Sequence, residues 1–66
     1  MDITLNGTPH NVPDSISLHE LLSRRQCDPL SVVVEQNREI VDKGDYETTF
    51  IHQGDSIEIL HFVGGG

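Results

Sequence analysis

Only one stretch of this chain, "SISLHELL", reads as a helix, and it is too short to find its partner in another helix. Ser17 is placed to accept a bond from the N–H three residues on, and Glu20 to reach back to the Ser17 N–H, which makes a capping box. Ile16 before the cap and Leu21 after it have the spacing of a hydrophobic staple. Leu18, Leu21 and Leu22 fall on one stripe. Arg24 and Arg25 fall in the last turn, where positive charge meets the negative end of the helix dipole. Pro29 excludes Asp28 from the α region, so the helix is predicted to end near Gln26 or Cys27. A single helix with one apolar stripe must bury it on a sheet.

The remaining apolar runs supply that sheet. "MDITLN" alternates, with Ile3 and Leu5 on one face. Asn6-Gly7 is a strong hairpin signal, because both residues tolerate positive φ. "TPHNV" returns as a short strand, and Pro9, which lacks an N–H, belongs at an edge or an irregularity. "SVVVEQ" is an unbroken apolar run of the kind found in a covered strand. Asn37-Arg38 turns into a short "EIV" strand. "DKGDYETTFIHQGD" is polar and turn-rich, with Tyr46, Phe50 and Ile51 as anchors to the core. The last strand is "SIEILHFV". The first and last strands are expected side by side and parallel in the middle of the sheet. This is an α+β arrangement, a β-grasp (ubiquitin-like) outline: a mixed sheet with one main helix on one face. The domain is expected over residues 1–63, with residues 64–66 as a flexible glycine tail.

Composition agrees with one small domain. Leu, Ile, Val and Phe make up 20 of 66 residues, well above the roughly 20% below which chains stay disordered. The single cysteine, Cys27, allows no internal disulfide, which suits a reducing compartment. With no signal-like start and no long apolar run, the protein is expected to be cytoplasmic, without a membrane partner. The net charge is −7, and four basic residues are too few to track a phosphate backbone, so nucleic acid is not expected. A partner with a basic docking face fits better, although the charge also serves solubility alone.

Few side chains carry chemistry. The four histidines have no ligand spacing and no second cysteine, so no metal is expected; they read as surface residues. Cys27 as a nucleophile would need a base and a lowered pKa, and its sequence neighbours offer only Arg24. The plainer reading is a small half-buried residue at a helix end. "VGGG" is followed by no helix and is not a phosphate loop. What remains is the tail, Gly64, Gly65 and Gly66. A carboxylate becomes a good electrophile once ATP converts it to an acyl adenylate. The enzyme that does so must enclose the carboxylate and exclude water. Glycine, without a side chain, threads a narrow channel. The competing reading is an idle end.

The pieces "LNG", "LHELL", "VVVEQN" with "EIV", "GDSIEI" and "HFVGGG" occur together and in order over nearly the whole chain. In this respect the sequence resembles the ThiS family of sulfur carriers of thiamin biosynthesis. It departs from the family at Arg38, where a glycine is usual, and at Asp42-Lys43, where Pro-Arg is usual. The resemblance implies that a ThiF-like enzyme adenylates the Gly66 carboxylate with ATP and Mg²⁺. A sulfur donor protein then supplies sulfur as a persulfide, leaving a thiocarboxylate that a ThiG-like thiazole synthase consumes. It also implies that the carrier is not an enzyme, binds no cofactor itself and is a monomer when free. A MoaD-like carrier, a carrier for another pathway, a ubiquitin-like protein modifier and a plain binding module remain as alternatives. Strand alternation adds one expectation. Ile57 and Ile59 face the helix, which leaves Leu60 and Phe62 on the other face beside the tail, as docking residues for the activating enzyme. In the alternative register both are core.

Overall fold

The hairpin, the helix and three further strands assemble into one mixed sheet with the helix packed on one face. The computed structural model describes residues 1–62, so Val63 and the tail glycines Gly64, Gly65 and Gly66 lie outside the described residues. The strands are β1 (Asp2–Leu5), β2 (Thr8–Asn11), β3 (Val32–Gln36), β4 (Glu39–Val41) and β5 (Ser56–His61), and the helix is α1 (Leu18–Arg24). The sheet order is β2-β1-β5-β3-β4. The last strand is therefore central, parallel to β1 and antiparallel to β3. This is the β-grasp arrangement anticipated from the order of the runs. Pro9 lies on β2, at one edge, where its missing N–H leaves no ladder bond unmade.

Ser17 caps α1: its Oγ accepts from the Glu20 N–H at 3.1 Å. Only half of the box forms, for the Glu20 side chain stays in solvent and makes no return bond. A backbone strap does more. Leu18 N donates to Thr49 O and Ile51 N to Ile16 O, so the helix start is laced to the loop ahead of β5. The staple residues Ile16 and Leu21 are both buried.

The helix closes slightly earlier than Pro29 alone would dictate. Gln26 adopts φ +56, Gln26 N donates to Ser23 O, and Cys27 N donates to Leu22 O at 2.9 Å. This is a Schellman closure with glutamine in the position that usually holds glycine. The same left-handed geometry recurs at Asn37 and Arg38, with φ +52 and +72, between β3 and β4. Arg38 therefore occupies a backbone conformation that costs a side-chain-bearing residue about 1 kcal/mol.

Leu18, Leu21 and Leu22 share one cluster with Ile3, Leu5, Val32, Val34, Tyr46, Ile51, Ile57 and Ile59. Phe50 departs from expectation. It is 48% exposed, because its backbone pairs with Ser17 while the buried anchors are its neighbour Ile51 and Tyr46. Asp55, nearly buried, ties the β3–β4 turn to the approach of β5. Its carboxylate accepts from Gln36 Nε2 at 3.0 Å, Asn37 Nδ2 at 3.1 Å and the His52 N–H at 2.8 Å. Burial pushes its pKa up, but the bonds from His52, Asn37 and Gln36 and the nearby His52 ring outweigh that and hold it below the usual value.

The folded pKa of Asp55 thus lies below its unfolded value of about 3.9. Its stabilising effect is complete above that pH and is lost as pH falls through the folded pKa. Asp55→Asn should lower stability at pH 7 by about 1–2 kcal/mol and flatten the acid limb of the stability curve. Urea unfolding across a pH series measures both.

Candidate functional site

β5 outruns its neighbour β1. The parallel ladder joins Thr4 to Ser56 and Leu5 to Ile57, and the chain of β1 then turns away at Asn6-Gly7. The Asn6 side chain replaces the missing strand. Its Oδ1 accepts from Ile59 N at 2.8 Å and its Nδ2 donates to Ile59 O at 3.3 Å. On the other side β3 follows β5 to the end, with Val33 opposite Leu60 and Val32 opposite His61. Phe62 N then donates to Ser31 O. The segment that leads into the tail is thus fixed along one edge by a strand and along the other by one side chain.

The register puts Ile57 and Ile59 in the core and Leu60 on the outer face, as alternation predicts. Leu60 is 48% exposed and Phe62 56%. The sequence reading missed two companions. Val33 lies directly across from Leu60, and Ile40, 70% exposed, lies across from Glu35 on the same face. The signal was present in the alternation of β3 and β4, but it becomes usable only once their pairing is known. Glu35 faces Glu58 across the β3–β5 ladder, which sets two acids beside the apolar residues.

Lys43, one of the departures noted above, has a definite place here. Its Nζ donates to Pro29 O at 3.1 Å and to Val32 O, and it lies 5.6 Å from the centre of the Phe62 ring. A cation over an aromatic face attracts it, so Lys43 helps to hold Phe62 where β5 ends.

The histidines are dispersed: His10 on β2, His19 on the exposed side of α1, His52 beside Asp55 and His61 at the end of β5. Among the described residues no three potential metal ligands come together, and no helix is long and apolar enough to cross a membrane. A groove of about 640 Å³ lined by Met1, Phe50, Ile51 and His52 opens at the start of β1 and β5, the end opposite to His61. Cys27 is half-buried against the core, as expected, but it has a neighbour that the local sequence does not offer. Its Sγ lies 3.9 Å from His61 Nε2. The proposed reactive position, Gly66, and its companions Gly64 and Gly65 lie outside the described residues.

Sheet order, the one α-helix among the described residues and the central final strand define a ubiquitin-like β-grasp domain. The chain belongs to the ThiS family, whose model matches residues 3–66. It is 42% identical over 53 residues to the sulfur carrier protein ThiS of Bacillus subtilis, covering 80% of each chain. It is 41% identical over all 66 residues to a thiazole synthase of Magnetococcus marinus, but spans only 20% of that protein's length. A thiazole synthase of Paramagnetospirillum magneticum is matched over the same 20% share at 38% identity. Among solved structures, the crystal structure of the thiamine biosynthesis protein ThiS of Geobacter metallireducens superposes with a TM-score of 0.87, at 36% identity, over all of both chains.

The Asn6 bridge is separable from the turn it sits in. Asn6→Gly keeps the positive φ and removes only the side-chain bonds to Ile59. Stability should fall by about 1–2 kcal/mol, and the Ile59 amide should exchange faster than that of Ile57. Amide hydrogen exchange followed by NMR distinguishes the two positions.

Proposed function

We propose that this protein is a sulfur carrier whose Gly66 carboxylate is adenylated and converted to a thiocarboxylate for thiazole formation in thiamin biosynthesis. The observation that carries this reading is the ThiS family match, which runs through the terminal glycines. The thiazole synthases that contain a segment similar to this entire chain favour thiazole as the destination of the sulfur.

The chemistry asks little of the carrier's side chains. Carboxylate oxygen attacks the α-phosphorus of ATP on a ThiF-like enzyme, pyrophosphate leaves, and the acyl adenylate forms. Sulfur from a donor protein displaces AMP. A thiazole synthase of the ThiG kind then takes the sulfur. Mg²⁺ and ATP belong to the activating enzyme, so the carrier needs no cofactor and performs no catalysis. Its contributions are a thin tail and a surface that seats the domain with the tail aimed into the enzyme. Residues 64–66 act as that tail, and the domain extends to residue 63. The reactions take place in the cytoplasm, and the free carrier is a monomer.

Leu60 and Phe62 are the docking residues in this reading. Val33 and Ile40 extend the apolar patch, and Glu35 and Glu58 border it. Apolar residues gathered beside a reactive terminus mark a surface that partners cover. The acidic border suits a basic rim on the activating enzyme and speeds encounter.

Intact mass after incubation with ATP, Mg²⁺, a sulfur donor and a ThiF-like enzyme tests the reading. Replacement of one oxygen by sulfur supports a carrier. Linkage to lysines of other proteins would indicate a modifier, and an unchanged mass a binding module. Gly65→Trp should abolish the change, and an unimpaired reaction would argue against a narrow channel. Replacing Leu60 and Phe62 together by Ser should weaken binding to the activating enzyme at least tenfold, about 1.4 kcal/mol. Thermal stability should fall little, since neither residue is core. Titration calorimetry and thermal melts separate the two effects.

A further inference from the structure

Of the asparagines in the chain, Asn6, Asn11 and Asn37, only Asn6 is followed by glycine. The side-chain carbonyl carbon of an asparagine is open to attack by the backbone nitrogen of the next residue. Glycine in that place leaves the nitrogen unshielded, because it carries no side chain. Here the attacking group is free. Gly7 is exposed, and among the described residues its N–H has no hydrogen-bond partner. Nothing lies within 4 Å of the place that a Cβ would take on it.

The group under attack is tied down. Asn6 Oδ1 accepts from Ile59 N at 2.8 Å, Nδ2 donates to Ile59 O at 3.3 Å, and Asn6 N donates to Ile57 O at 2.9 Å. For the ring to close, the carboxamide must leave Ile59 and turn over the Gly7 nitrogen. The two bonds that prolong the β1 edge of β5 therefore also hold back a reaction that the sequence invites. Asn37 is the internal control. It too has a positive φ, +52, and a bonded carboxamide, to Asp55 Oδ1 and Ser56 N, but Arg38 follows it.

We propose that Asn6 is a site of spontaneous deamidation, that its two bonds to Ile59 set the rate, and that the product releases β5 from them. In the first step Gly7 N attacks Asn6 Cγ. The Cγ–Nδ2 bond breaks, and Nδ2 leaves as ammonia with the proton from Gly7 N. Water then opens the cyclic imide at one carbonyl or the other, giving aspartate or isoaspartate. In sum, asparagine and water become aspartate or isoaspartate and ammonia, with no oxidation. Either product undoes the clamp. An ionised carboxylate has no N–H for Ile59 O and sets an acceptor against an acceptor. Isoaspartate also adds a backbone methylene to the turn between the paired residues Leu5 and Thr8, whose φ values of +48 and +80 suit the shorter chain. Beyond Ile57, β5 is then held by β3 alone. That this ends the working life of a copy rests on the carrier function proposed above; the modification itself does not.

The experiment keeps the full chain in mildly alkaline buffer, with and without urea, and locates aspartate and isoaspartate by peptide mass spectrometry. Reaction should come first at Asn6, ahead of Asn11 and Asn37, and should be about tenfold or more faster in the unfolded chain. At urea concentrations too low to unfold the core, amide exchange is followed in parallel. There the deamidation rate should rise with exchange at Ile59 and not with exchange at Leu22, which lies in the buried helix stripe. Asn6→Asp, which carries one of the products, should exchange the Ile59 amide about tenfold faster than the wild type. Circular dichroism reports whether that variant is folded, and the deamidated fraction of the wild type, separated by its added negative charge, gives the same measurement if it is not. Equal rates in the folded and unfolded chains would overturn the proposal. So would rates that follow Leu22, earlier reaction at Asn11 or Asn37, or an Ile59 amide unchanged by the modification.

Discussion

The placement of the last strand at the centre of the sheet is the constraint on which the rest of the molecule depends. β5 is paired on both sides, by β1 and β3, and its inward residues Ile57 and Ile59 lie in the same core as the helix stripe. A strand in that position cannot fray without opening the core. The residues that precede the tail therefore inherit the rigidity of the whole domain. The strand is a stiff mount as far as His61, where the described pairing ends.

Support along β5 is withdrawn in steps. β1 leaves first, the Asn6 side chain continues its bonding for one more residue, and β3 carries on to Val32. Lys43 then steadies Phe62 from the side. Two different surfaces meet at this end. The outer face presents Leu60 and Phe62, while the helix side presents Cys27 and His61. Alternation along one strand separates them, since adjacent residues of β5 point to opposite faces.

Much of the fold was legible because its signals are local. The Ser17 cap, the Ile16–Leu21 staple, the Asn6-Gly7 turn and the alternation of "SIEILH" each act within a few residues, and the sheet follows from them. The exposure of Leu60 and Phe62 was legible for the same reason. What escaped depends on register between distant strands. Ile40 and Val33 join the outer patch only through their pairing with β3 and β5, and the alternation within each segment does not say which strands will meet. The contact of Cys27 with His61 likewise joins distant parts of the chain. Phe50 misled because a large aromatic next to a buried Ile51 suggests core, whereas a backbone bridge to Ser17 fixed which of the two points inward. Gln26 closes the helix in a conformation normally signalled by glycine, so its sequence carried no stop signal of its own.

The opposition of Glu35 and Glu58 has a consequence for how the domain responds to its medium. Like charges set directly across a ladder oppose folding. A net charge of −7 on 66 residues adds a diffuse repulsion. The attractive pairs are few: the N-terminal ammonium with Asp14 at 3.4 Å and His52 with Asp55 at 3.8 Å, among the described residues. Dissolved ions at 0.1 M shorten the reach of exposed charges to about 10 Å, and they weaken repulsion and attraction alike. Here repulsion is the larger of the two. Raising the ionic strength therefore tightens this domain, while the same ions slow its encounter with any oppositely charged protein.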